Sequence, residues 1–185
     1  MKTLLNQLED IRRCAQELIA GLSPEQLMRR PDPAKWSIAE CLAHLNLTGT
    51  GYVPLIEAAI RRGREGKMLG KGPFKPGLLG SLLKWIAEPP PKFRFRAPEN
   101  ILPPSSITDP SRVIAEFMRL QDEWERLVRE SDGLDLKRVK VDSPLPQLPR
   151  LRLAAPVPWM LAHERRHLLQ AEKVKAEIQA KAASA

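Results

Sequence analysis

Apolar side chains recur at steps of three and four through most of this chain, the repeat of a helix that buries one face. Over residues 2–20, Leu5, Leu8, Ile11, Ala15, Leu18 and Ile19 form such a stripe, and Gly21 stands where a glycine commonly ends a helix. The polar connection LSPEQLMRRPDPAKW follows, with room for one short turn at Pro24–Met28. The second stripe has a clear start: Ser37 can cap it and Glu40 stands three positions on, the spacing of a capping box. Trp36, just before the cap, is placed to staple onto Cys41. Ile38, Cys41, Leu42, Leu45, Tyr52, Leu55, Ile56 and Ile60 continue this stripe. Pro54 inside it predicts a bend, because proline lacks an N–H donor and crowds the preceding turn.

A third helix is expected from Asp109 as N-cap with Pro110 at the first helical position. Val113, Phe117, Leu120, Trp124, Leu127 and Val128 form its apolar face, and Ser131, Asp132 and Gly133 end it. A fourth opens at Pro156 and Pro158 and runs to about Ala180, leaving 181–185 as a frayed tail. Residues 63–108 read as a long Pro/Gly-rich insertion between the second and third helices, with one short helix at 78–87. A loop of that length is usually functional or disordered. Its aromatics, Phe74, Trp85, Phe93 and Phe95, argue that it packs on something, either as a wall over a site or as a surface wrap. Residues 133–155 are Pro-rich again, with a short extended piece at LKRVKV.

The pattern therefore predicts an all-α chain, one domain over 1–185, built as a four-helix bundle. Its links are too long for a tight up-down bundle and permit crossover connections, which would let the second and fourth helices lie side by side.

Charge adds little to this picture. The 30 Lys+Arg and 22 Asp+Glu leave +8. The excess is spread over Arg12 and Arg13, Arg29 and Arg30, 61-RRGR-64 and 92-KFRFR-96, which reads as solvated faces, so nucleic acid is not expected as a partner. Two cysteines, Cys14 and Cys41, are too few for a disulfide scaffold and are expected as packed free thiols. The start MKTLLNQLEDIRRC lacks the apolar core of a signal peptide, and no apolar run approaches the roughly 20 residues of a membrane span. A cytoplasmic protein with no membrane partner is the expectation.

The chemistry lies in the three histidines. His163 and His167, in LAHERRHLLQ, are four apart and share one helix face, with Gln170 continuing it at the next step of three. His44 sits in WSIAECLAHL near the start of the second helix. Three imidazoles suit zinc, nickel, copper or iron, and three protein ligands leave a position open for water or substrate. The string 163-HERRH-167 also fits the HExxH of zinc proteases, with Glu164 as base and Glu172 or Glu177 as third ligand. No histidine follows position 167 and no strand pattern precedes it, which weighs against that reading. Solvated histidines paired with carboxylates are the plain alternative.

WSIAECLAHL and LAHERRHLLQ, in that order and separation, resemble the DinB/YfiT-like superfamily of metalloenzymes, over residues 5–178. The resemblance implies a four-helix bundle with crossover topology and a divalent metal, zinc or nickel, on His44, His163 and His167. Gln170 occupies a family-like position, where it could face a cofactor or simply pack. Some relatives transfer a low-molecular-weight thiol (bacillithiol, mycothiol or glutathione) to an electrophile. The resemblance thus implies a small-molecule substrate and a metal-dependent S-transferase. A hydrolase using metal-activated water, with Glu164 or Glu40 as base, is the alternative. A third reading is a non-enzymatic helical module with a basic binding surface. Members are often dimeric, so a homodimer is implied by the resemblance alone. The insertion departs from compact members, and Arg61, Arg62, Lys67, Lys71 and Lys75 could draw in an anionic thiol.

Overall fold

The apolar stripes fold as the helices they predict. A computed structural model describes residues 1–93, 97–104, 106–144 and 149–183. Phe95 and the two arginines of the 92–96 cluster, together with the last two residues of the tail, lie outside the described residues. Among the described residues, six α-helices occur in chain order: α1 (Lys2–Ile19), α2 (Pro24–Met28), α3 (Ile38–Glu65), α4 (Gly77–Ala87), α5 (Pro110–Glu130) and α6 (Pro156–Ala183). A short 3-10 turn, Glu99–Ile101, precedes α5. Two short strands, β1 (Lys140–Val141) and β2 (Leu151–Arg152), pair antiparallel before α6.

The helix starts are held by their caps. Ser37 Oγ accepts the Glu40 N–H at 3.2 Å while the Ser37 N–H donates to Glu40 Oε2 at 2.8 Å, closing the expected box. Ser23 and Gln26 form a second box at α2. Asp109 Oδ1 accepts the N–H of Ser111 and Arg112 at the head of α5. Each cap satisfies donors that the first helical turn leaves free. Helical structure is unbroken through Pro54, and α6 persists to Ala183, beyond its expected end near residue 180.

Four long helices make the bundle. α1 packs beside α5 and α6, and α3 packs beside the same two. α1 and α3 therefore stand diagonally opposite, as do α5 and α6. Successive helices joined across a diagonal need long connections, which is why the links predicted from sequence suit a crossover bundle. The core runs down the middle, with Leu8, Ile11, Ile38, Tyr52, Phe117, Trp124 and Leu161 among its buried members. Each such side chain contributes about 1.5–3 kcal/mol through removal of apolar surface from water. Gly49 permits the α3–α5 approach: a Cβ there would stand 3.0 Å from Leu120 Cδ1.

The insertion is a wall. α4 lies along α6, made possible by Gly80, where a Cβ would come within 2.5 Å of Ala155 Cβ. Arg165 donates to both Glu88 oxygens at 2.7 and 2.8 Å. Arg166 donates to the carbonyls of Ile86 at 3.2 Å and Phe93 at 2.7 Å. The short helix expected at 78–87 is α4, one residue longer at its start.

Candidate metal centre

Adjacent placement of α3 and α6 brings the three histidines together. His44 lies two turns into α3, where the Ser37 cap fixes the start of the helix. His163 and His167 lie one turn apart on α6. The Nε2 of His163 is 3.2 Å from that of His44 and 3.1 Å from that of His167. All three donor atoms lie within 4.8 Å of one another. His44 and His167 are buried and His163 is partly so.

The outer nitrogens fix the tautomers. His44 Nδ1–H donates to the Ile101 carbonyl at 2.7 Å, and His167 Nδ1–H donates to Gln170 Oε1 at 3.1 Å. Both rings then point a bare Nε2 lone pair inward. His163 Nε2 faces two such lone pairs and, with one proton, can satisfy only one. Its own Nδ1 is buried and has no hydrogen-bond partner among the described residues. A cation that accepts all three lone pairs resolves this conflict. Two nitrogens bound tetrahedrally to zinc stand about 3.3 Å apart, close to the spacings here. The donor set fits a divalent metal of the nitrogen-preferring kind.

Electrostatics agree with that fit. Burial holds the His44 imidazole below its ordinary value, partly opposed by the Ile101 carbonyl. Burial, aided by His167, His44 and Arg166, holds His163 well below the usual range. His167 is lowered to about 3, by burial first and then by His44 and Arg166. Neutral imidazoles are the form that binds metal.

Aromatic rings wall the centre. Trp36 lies 5.1 Å from the His44 ring and stacks on His167 at 5.9 Å. Trp159 stacks on His163 at 6.1 Å and meets Tyr52 edge-on at 5.2 Å. Trp36, expected as a staple onto Cys41, thus also stands against the centre. The spacing of Trp159 and His163, four apart on one helix, was the signal for the second contact. The Ile101 carbonyl had no such signal, since any residue supplies one. Arg166, three after His163, is a cation beside the centre, bonded to backbone carbonyls and to no carboxylate among the described residues.

The other named residues lie elsewhere. Glu164 is not on the surface. It is buried across the bundle diagonal, where Gln121 Nε2 and Trp124 Nε1 donate to its Oε1 at 3.1 and 3.2 Å. Burial raises its pKa to about 7. Glu40 is held by its cap and by Arg30. Glu177 pairs with Lys35 at 2.8 Å, and Glu172 lines a groove between α1 and α6. Cys41 is a buried thiol pushed up to about 12. Arg61 and Arg62 stand about 25 Å along α3 from His44, at 1.5 Å per residue, so they do not face the histidines.

The sequence model of the DinB superfamily matches residues 7–171. The chain belongs to the DinB superfamily. No curated protein matches it. Among solved structures it is similar to YfiT from Bacillus subtilis, described as a probable metal-dependent hydrolase with an unusual four-helix bundle topology. The two share 12% identity, with a TM-score of 0.62 over 96% of this chain and 87% of that one. The DinB-like bundle is thereby shown for this chain, crossover included.

Proposed function

We propose that this DinB-superfamily chain is a metal-dependent enzyme whose ion is held by His44, His163 and His167 through Nε2. The convergence of three Nε2 atoms, two with their Nδ1–H tied to fixed acceptors, carries the reading. Zinc or nickel suits three imidazoles. Such an ion makes a bound water or thiol acidic enough to act as a nucleophile near neutral pH. The protein's own groups orient and enclose. Ile101 and Gln170 fix two rings, Trp36 and Trp159 exclude water from the flanks, and Arg166 adds a positive charge that favours an anionic reactant.

Transfer of a low-molecular-weight thiol to an electrophilic carbon is the reaction we favour. The observation behind this choice is that both carboxylates considered as bases are engaged elsewhere, Glu164 in the bundle core and Glu40 in its cap. A thiol needs less help than water to lose its proton. Cys41 cannot be that thiol, being fully buried, and Cys14 lies on α1, diagonally opposite the helix that carries His44, so the thiol comes as a cosubstrate. Hydrolysis is the second reading, supported by the description of YfiT. Parallel assays separate them. Metal-loaded protein is given thiols with an electrophilic aryl halide, and separately ester and amide substrates. Thiol adduct formation that is lost in His44→Ala supports transfer. Hydrolysis alone, lost in the same variant, supports the second reading. Neither activity with the metal bound points to a binding module.

A further inference from the structure

The outer face of α4 is apolar and exposed. Leu78, Leu82 and Trp85 follow at steps of four and three, which is one helix face. They are 95%, 50% and 53% exposed. Phe93, 49% exposed, extends the patch, with its ring edge-on to Trp85 at 6.2 Å. The opposite side of α4 is committed to α6, with Gly80 against Ala155 just before that helix. Contiguous exposed apolar surface of this kind marks a contact with a protein or a membrane.

The rim decides between these. Lys92 Nζ stands 5.2 Å from the centre of the Trp85 ring. Lys84 lies on α4 itself, and Lys71 and Lys75 are exposed just before it. Glu88 is the only acid in residues 66–93, and its carboxylate is held by Arg165, with Lys84 at 3.8 Å. A two-fold contact through residues 66–93 would set these lysines against one another, with Glu88, already held by Arg165, as the one acid of that segment to face them. An anionic bilayer supplies the missing charge. Leucine and tryptophan rimmed by lysine is the make-up of a helix that lies in the lipid interface.

We propose that α4 is a peripheral anchor that seats this protein on an anionic lipid surface. Leu78, Leu82, Trp85 and Phe93 enter the boundary between headgroups and acyl chains, and Lys84 and Lys92 meet lipid phosphates. No helix among the described residues is long and apolar enough to cross a membrane, so the contact is with one face of the bilayer.

The test is cosedimentation of the full chain with vesicles of phosphatidylcholine, with and without phosphatidylglycerol, at low and high salt. The comparison variant is Leu78→Ser/Leu82→Ser/Trp85→Ser. All three positions are exposed, and circular dichroism checks that the bundle stays folded. The expected result is binding to phosphatidylglycerol vesicles that weakens with salt and falls about tenfold or more in the variant. Light scattering on the same samples should show no change of oligomeric state. The proposal is overturned by absence of binding at low salt, or by equal binding of the variant. It is also overturned by a concentration-dependent dimer that the triple substitution dissolves, which would assign the face to a second copy.

Discussion

Replacing Glu164 by glutamine keeps the side-chain shape and removes its capacity to ionise. In the fold, Oε1 accepts from Gln121 and Trp124, while Oε2 and Gln121 Oε1 have no partner among the described residues. A protonated carboxyl or an amide can donate to such an acceptor; a carboxylate cannot. Burial moves this carboxyl from 4.5 to about 7, so the folded chain keeps a proton that the unfolded chain has lost. Stability therefore falls as pH rises through that window and levels off above it. The full displacement corresponds to about 3 kcal/mol at most. Glu164→Gln lacks this slope. It should match the wild type near pH 4.5 and exceed it above pH 8 by up to about 3 kcal/mol, or about 6–12 °C in Tm for a chain of this size. The depressed histidines act in the opposite sense, with stability falling as pH drops below their ordinary 6.5. Both proteins share them, so the difference between the two curves isolates residue 164. Urea unfolding of the metal-free proteins across this pH range measures it. A variant no more stable than wild type above pH 8 would refute the reasoning. So would loss of activity on substitution with the metal retained, which is what an HExxH base would give.

Three further outcomes follow from the same structure. Gln170→Leu removes the acceptor of His167 Nδ1–H and should weaken metal binding about 10–100-fold in competition with a chelating dye, with helix content unchanged. Ser37→Ala breaks the α3 capping box and should cost about 1 kcal/mol, read as a fall in Tm of about 2–4 °C. Gly80→Leu cannot be placed against Ala155 without moving α4; it should cost about 1–3 kcal/mol and speed proteolysis within the insertion, and unchanged proteolysis would argue that α4 is not packed as described.

Most of the bundle was legible because its signals are local. The Ser37–Glu40 box, Asp109 with Pro110 and the stripes at threes and fours each specify one helix without reference to the rest. The pairing of α3 with α6, which makes the site, depends on the diagonal links. It was allowed by loop length but not dictated by it. Glu164 shows the limit of helical geometry read alone. Consecutive helical residues stand about 100° apart, so Glu164 points away from the direction of His163, but whether that direction meets solvent or core depends on α5, which carries Gln121 and Trp124. The insertion hid its part for a similar reason. Beside the Glu88–Arg165 pair, its contributions to α6 and His44 come from the carbonyls of Ile86, Phe93 and Ile101, which carry no side-chain signature. The β1–β2 pair was half visible, since the extended LKRVKV piece contains β1 but nothing in the sequence marked β2 as its partner.

The central claim, a metal held by three histidines, is tested most directly by metal content. The full chain, purified and reconstituted with zinc or nickel, is analysed by elemental mass spectrometry beside His44→Ala, His163→Ala and His167→Ala. About one equivalent per chain in the wild type and less than about a tenth in each variant is the predicted result. A wild type that holds less than about a tenth of an equivalent after reconstitution, or a His44→Ala variant that retains it in full, would contradict the account.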